Sequence, residues 1–127
     1  MAAVGRVHAQ LGAGMFLSAA INLRVLLVEH PELAGVKYAP ELLPGKERVG
    51  KLLERLGELA AEPGGRGRDA ALLLAYMGFQ TGDAAATKQG LAIMSAGGGT
   101  GADADQLSKL SELLKQVWAE TPPAENK

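Results

Sequence analysis

Gly14–Pro31 reads GMFLSAAINLRVLLVEHP, and the placement of its apolar residues decides the fold. Phe16, Ala19, Ala20, Leu23, Leu26 and Leu27 recur at three- and four-residue steps and form one stripe of a helix. Ile21, Val25 and Val28 widen that stripe to a second face. Gly14 opens the segment as a turn, and Pro31 closes it because proline cannot continue a helix beyond a new first turn. A helix apolar on more than one side must be covered from more than one side. The expectation is an all-α protein arranged around this helix.

Working outward, the segment from Ala2 to Leu11 carries Val4, Val7 and Leu11 at helical spacing and ends at Gly12-Ala13-Gly14. Downstream lies a connector, 32–44, with an irregular path imposed by Pro40 and Pro44 and room for one helical turn around Pro31–Ala34. Gly45–Glu62 is strongly amphipathic: Val49, Leu52, Leu53, Leu56, Leu59 and Ala60 oppose a face of charged residues. Pro63-Gly64-Gly65-Arg66-Gly67-Arg68 reads as a loop, with Asp69 capping the helix that follows. That helix, Ala70 to about Gln80, contains ALLLAYMGF and is apolar all round, hence buried. Thr81-Gly82-Asp83 is a tight turn in which Asp83 is placed to cap a helix over Ala84–Ala96. Gly97–Gly101 is a second loop. The last helix, 103–120, carries Leu107, Leu110, Leu113, Leu114, Val117 and Trp118 on one face. Residues 121–127 read as a disordered tail. No segment alternates with a period of two, so no strand is expected. The reading is one domain over 1–120: hairpin 2–30, connector 32–44, helix 45–62, hairpin 69–96 and a capping helix.

Composition narrows the function classes. The 127 residues carry a net charge of −1, so no long-range field recruits nucleic acid or an anionic membrane. There are no cysteines, which removes disulfides, thiolate metal sites and cysteine nucleophiles together. No apolar run approaches the ~20 residues of a membrane span, and no signal-peptide core opens the chain. A cytoplasmic location is the expectation.

The two helical hairpins resemble the tetratricopeptide repeat family. In the first, Gly14 stands at the turn, Phe16 is the aromatic two residues on, and Ala19 is the small packing residue. Leu23 is the large apolar residue and Pro31 the closing proline. In the second, Leu74-Ala75 stands where the family has Leu-Gly, Gly82-Asp83 sits at the turn and Leu91 takes the large apolar position. Departures are Val7, Gly78, Thr87 and Gly99 at positions where the family has a small residue, an aromatic, an alanine and a proline. The turns are also spaced at twice the family's period. The resemblance implies stacked antiparallel hairpins, a TPR-like α-solenoid fragment with a C-terminal capping helix, because one hairpin cannot bury its apolar face alone. It further implies an inner groove that binds a peptide or partner helix without catalysis. Carried onto this sequence, the groove would be lined by His8 and Leu11 and by Leu72, Tyr76, Phe79 and Gln80. The competing reading of these residues is core beneath a neighbouring helix.

Other chemistry finds little support in the residues. His8 and His30 lie on different helices with no carboxylate at ligand spacing, so no metal is expected, and neither has the setting of a phosphorelay histidine. The Gly97–Gly101 loop follows a helix and lacks the Lys-Ser/Thr of a phosphate cradle, so no cofactor is expected. The serines lack a nucleophile-elbow context. Trp118 either anchors a partner or staples the last helix onto the stack, and stapling is the expectation. The expectation is a non-enzymatic protein–protein interaction module that works alone, as a homo-oligomer or as part of a longer repeat chain. The alternatives are a structural or oligomerisation scaffold without a groove, and a small all-α enzyme or relay domain. The direction of Tyr76 and Gln80, into an open concavity or under another helix, separates a groove from a core.

Overall fold

The computed structural model describes residues 2–36, 38, 43, 45–62, 65–96 and 102–120. Across them run six α-helices: α1 (Ala2–Gly12), α2 (Phe16–Glu29), α3 (Lys46–Ala60), α4 (Gly65–Thr81), α5 (Ala84–Ala96) and α6 (Ala102–Glu120). A 3-10 turn, Pro31–Gly35, follows α2 and starts on the proline that ends it. Among the described residues there is no strand, and the protein is all-α.

Two of the connections are built the same way. Gly14 and Gly82 have φ of 79° and 78°, a region that side chains with a Cβ rarely occupy. Around Gly14, its own amide donates to the Leu11 carbonyl and the Met15 amide to the Gln10 carbonyl. Around Gly82, its amide donates to Phe79 and the Asp83 amide to Gly78. Both are Schellman closures, which satisfy the last carbonyls of a helix and turn the chain sharply. Each sends the chain back along its predecessor, pairing α1 with α2 and α4 with α5. Asp83 caps α5, its carboxylate accepting from the Ala86 amide at 3.0 Å.

The central helix is α4, not the Gly14–Pro31 segment. Every residue from Ala70 to Gln80 is buried, because α4 is covered by α5 and α3 most extensively and by α2 and α6 as well. Small residues let α5 approach this closely. A Cβ on Gly90 would lie 2.5 Å from the Ala71 carbonyl oxygen and 2.6 Å from the Ala75 nitrogen. One on Gly78 would lie 2.7 Å from the Thr87 nitrogen. The α2 helix instead has one buried face, Ala19, Ala20, Leu23 and Leu27, while its second apolar face stays open to solvent. No further apolar helix remains among the described residues to cover it.

α4 also begins earlier than its sequence suggests. Arg66, Gly67 and Arg68 belong to the helix rather than to a loop, although glycine costs about 1 kcal/mol in a helix interior. Asp69 therefore does not cap. It lies inside the helix, part-buried, with an oxygen 3.5 Å from the Arg24 guanidinium of α2. The expected loop at 97–101 and tail at 121–127 lie outside the described residues, as do several positions of the connector. No helix among the described residues is long and apolar enough to cross a membrane.

Candidate interaction surface

The six residues expected to line a groove are all interior. His8, Leu11, Leu72, Tyr76, Phe79 and Gln80 are each at most 7% exposed, so a partner cannot reach them in this arrangement. The fold brings two of them, His8 and Tyr76, together as a buried polar pair, with the part-buried Tyr38 beside it. His8 Nε2 and the Tyr76 hydroxyl share a hydrogen bond of 2.7 Å, and the Tyr38 ring meets the His8 ring edge-on at 5.4 Å. Burial, and secondarily the Tyr38 phenol, push the Tyr76 phenol well above its ordinary pKa. Burial likewise raises Tyr38.

Gln80 shows why the groove is filled. Its Nε2 donates to the Val36 carbonyl at 2.8 Å, and its Oε1 accepts from the Tyr38 amide at 2.9 Å. A glutamine side chain thus completes the pairing that an irregular segment cannot make with itself, and it fastens that segment over α4. Phe79 is covered by Trp118, whose ring stacks on it at 4.6 Å and 10°. The Trp118 Nε1–H donates to the Ala34 carbonyl at 2.7 Å. One residue thereby ties α6 to both α4 and the 3-10 turn, the stapling expected of it.

The surface carries a different feature. Of the six exposed large apolar side chains among the described residues, five lie within Met15–Val28. Leu17, Ile21, Val25 and Val28 step four, four and three residues along α2 and so fall on one face. Each is between 41% and 66% exposed. This ridge has a polar rim on both sides. Arg24 and Asp69 pair along one edge, and on the other the Asn22 amide donates to Gln10 Oε1 at 2.9 Å. Three open cavities adjoin the ridge. One of about 400 Å³ lies beside Val28, between α2 and Leu110 and Leu113 of α6. One of about 280 Å³ lies beside Leu17, against Leu59 of α3. A third of about 260 Å³ lies beside Val25, bordered by Arg6 and Glu29. An apolar centre with a satisfied polar rim is the anatomy of a protein–protein contact. The sequence signal for it was Ile21, Val25 and Val28, read as a covered face.

Reactive groups are sparse elsewhere. Among the described residues no three His, Asp or Glu side chains gather as a metal site. Ser95, Ser111 and Lys115 do meet: the serine hydroxyls are 3.0 Å apart, and Lys115 Nζ donates to Ser95 Oγ at 3.1 Å. Lys115 is solvent-facing and lies 3.7 Å from the Glu112 carboxylate. Ser95 gives its own proton to the Leu91 carbonyl at 2.7 Å. The trio braces α5 against α6. No family model, no curated protein and no solved structure matches the chain.

Proposed function

We propose that this protein is a non-catalytic helical interaction module that holds a partner helix against the outer face of α2. The observation that supports this most strongly is the ridge of Leu17, Ile21, Val25 and Val28, which holds four of the six exposed large apolar side chains among the described residues. A contiguous exposed apolar patch rimmed by polar residues marks an interaction site more often than it marks nothing. The 4-4-3 spacing is the spacing by which helices seat against one another. The resemblance to tetratricopeptide hairpins, carried by Gly14, Phe16, Ala19 and Pro31, points toward the same class of activity. The buried positions of His8, Tyr76 and Gln80 move the contact from an inner groove to the outside of α2.

Magnitudes favour a transient contact. Fully burying a Val, Leu or Ile contributes roughly 1.5–3 kcal/mol, so four half-exposed side chains contribute roughly 3–6 kcal/mol. A matching partner face adds a similar amount, against an association cost of about 4 kcal/mol or more. The net, about 2–8 kcal/mol, corresponds to dissociation constants from the order of micromolar to tens of millimolar.

Selection of helical peptides from a random library tests the reading, with counter-selection on a chain carrying Ile21→Glu and Val25→Glu. Peptides with apolar residues at three- and four-residue steps, captured by the native chain alone, are the expected result. Equal capture by both chains, or none by either, overturns it.

A further inference from the structure

We infer that the occupant of the α2 face is a second copy of this chain, packed antiparallel across a two-fold axis; the inference rests on the reading of that face as an interaction surface. The ridge is nearly symmetric about its own midpoint. Laid antiparallel on itself about a point close to Asn22 and Leu23, α2 sets Leu17 of each copy against Val28 of the other. Ile21 then meets Val25. Each pair joins a larger side chain to a smaller one, so the two ridges interdigitate rather than collide. A contact of this kind is isologous and closes on itself, giving a dimer and not a filament.

The charges of α2 favour the same arrangement. No side chain caps its N-terminus, its first turn holds no acid and its last turn no base, while Glu29 closes the helix. That carboxylate stands at the negative end of its own helix dipole, where it is unfavourable. In the antiparallel pair Glu29 of each copy comes level with Phe16 of the other, beside the positive end of the opposing dipole. Two identical mismatches are relieved together. Arg24, at the edge of the ridge, already pairs with Asp69, so closing the interface does not strand its charge. A parallel pair would instead bring the two Glu29 carboxylates together.

The area sets the strength. Stable interfaces take about 800 Å² from each partner, whereas α2 is only about 21 Å long at 1.5 Å per residue. The dimer is therefore weak and concentration-dependent.

Sedimentation of the native chain from about 10 µM to about 1 mM, the range over which so small an interface dissociates, is the test. The expected result is a mass rising from 13.1 kDa toward twice that value. The chain carrying Ile21→Glu and Val25→Glu stays monomeric, with unchanged helical circular dichroism. Because the chain has no cysteines, single-cysteine variants report the orientation. A mixture of Ile21→Cys and Val25→Cys chains forms disulfides faster than either alone if the copies are antiparallel. A native chain monomeric throughout, a double variant that still dimerises, or faster like-with-like cross-linking overturns the proposal. If the chain stays monomeric but captures helical peptides through the ridge, self-pairing alone is refuted. If it does neither, the interaction reading of the face falls as well.

Discussion

His8 and Tyr76 share a hydrogen bond across 68 residues of chain, and each stands six residues before the glycine that turns its own hairpin. Equivalent positions of the two hairpins therefore touch, and the bond ties α1 to the central helix. Both groups are buried, so water does not replace the bond when it is lost. Tyr76→Phe removes it while keeping the ring, and the expected cost is about 1–3 kcal/mol. Urea unfolding followed by far-ultraviolet circular dichroism measures it. A midpoint within error of the native chain's would show that the pair contributes nothing.

Alkaline pH probes the same cluster through a different variable. The Tyr76 phenol has a folded pKa above its ordinary value of 10.0, chiefly through burial. An acid whose pKa is raised by folding stabilises the native state fully below its unfolded pKa. The contribution is lost as the pH climbs from there toward the folded value. Stability should thus be level near neutrality and fall above about pH 10. Both tyrosines are shifted upward, so tyrosinate absorbance should rise late and together with unfolding. In Tyr76→Phe the alkaline fall should be shallower. An ordinary titration of both phenols in a chain that remains folded would contradict the burial described for Tyr76.

Glycines at two helix positions should respond to alanine in opposite directions. At Gly90 the added methyl meets the backbone of α4, 2.5 Å from the Ala71 oxygen and 2.6 Å from the Ala75 nitrogen. Backbone cannot rotate away as a side chain can, so α5 must lift, at a cost of about 1–3 kcal/mol. At Gly50, exposed within α3, nothing lies within 4 Å. Alanine there gains helix propensity and should stabilise by up to about 1 kcal/mol. Thermal unfolding of the two variants in parallel reads the difference, and a shift of the same sign in both would contradict the α4–α5 packing.

What the sequence discloses, and what it withholds, follows from which interactions are local. Gly14 and Gly82 are legible as pivots because the demand for positive φ arises within one turn of chain. The buried character of ALLLAYMGF is legible for the same reason, since periodicity is a property of the segment alone. The choice of centre between that helix and Gly14–Pro31 is not local. It depends on Gly90 fitting against Ala71 and Ala75, a relationship between segments with no shared pattern. For His8, Tyr76 and Gln80, groove and core make the same demand on a helix face. What distinguishes them is the cover, which includes Trp118 over Phe79 and Tyr38 against His8, the latter held by Gln80 in a stretch without periodicity. The place of Trp118 is legible from its position at the end of the apolar stripe of its own helix. The open ridge is not legible as a surface because an apolar stripe does not announce whether the protein supplies enough helices to bury it.

The two faces of α2 give the most direct check on that last point. Leu23 is fully buried among the residues of the core, and Leu23→Ala removes methylene contacts from a packed interior. The expected loss is about 2–5 kcal/mol. Val25 lies two residues away on the open ridge, about half exposed, and Val25→Ala there should change stability by no more than about 0.5 kcal/mol. Alanine is also the better helix former of the two, which offsets what little packing is lost. The comparison is made on dilute protein, where self-association contributes nothing to the unfolding equilibrium. Raising the concentration should then separate the native chain from Val25→Ala, since stabilisation by a bound partner grows with its concentration and the variant binds it less well. Leu23→Ala should keep its deficit at every concentration. If Val25→Ala proves as damaging as Leu23→Ala in dilute solution, the ridge is covered within a single chain, and α2 has no outer face to offer.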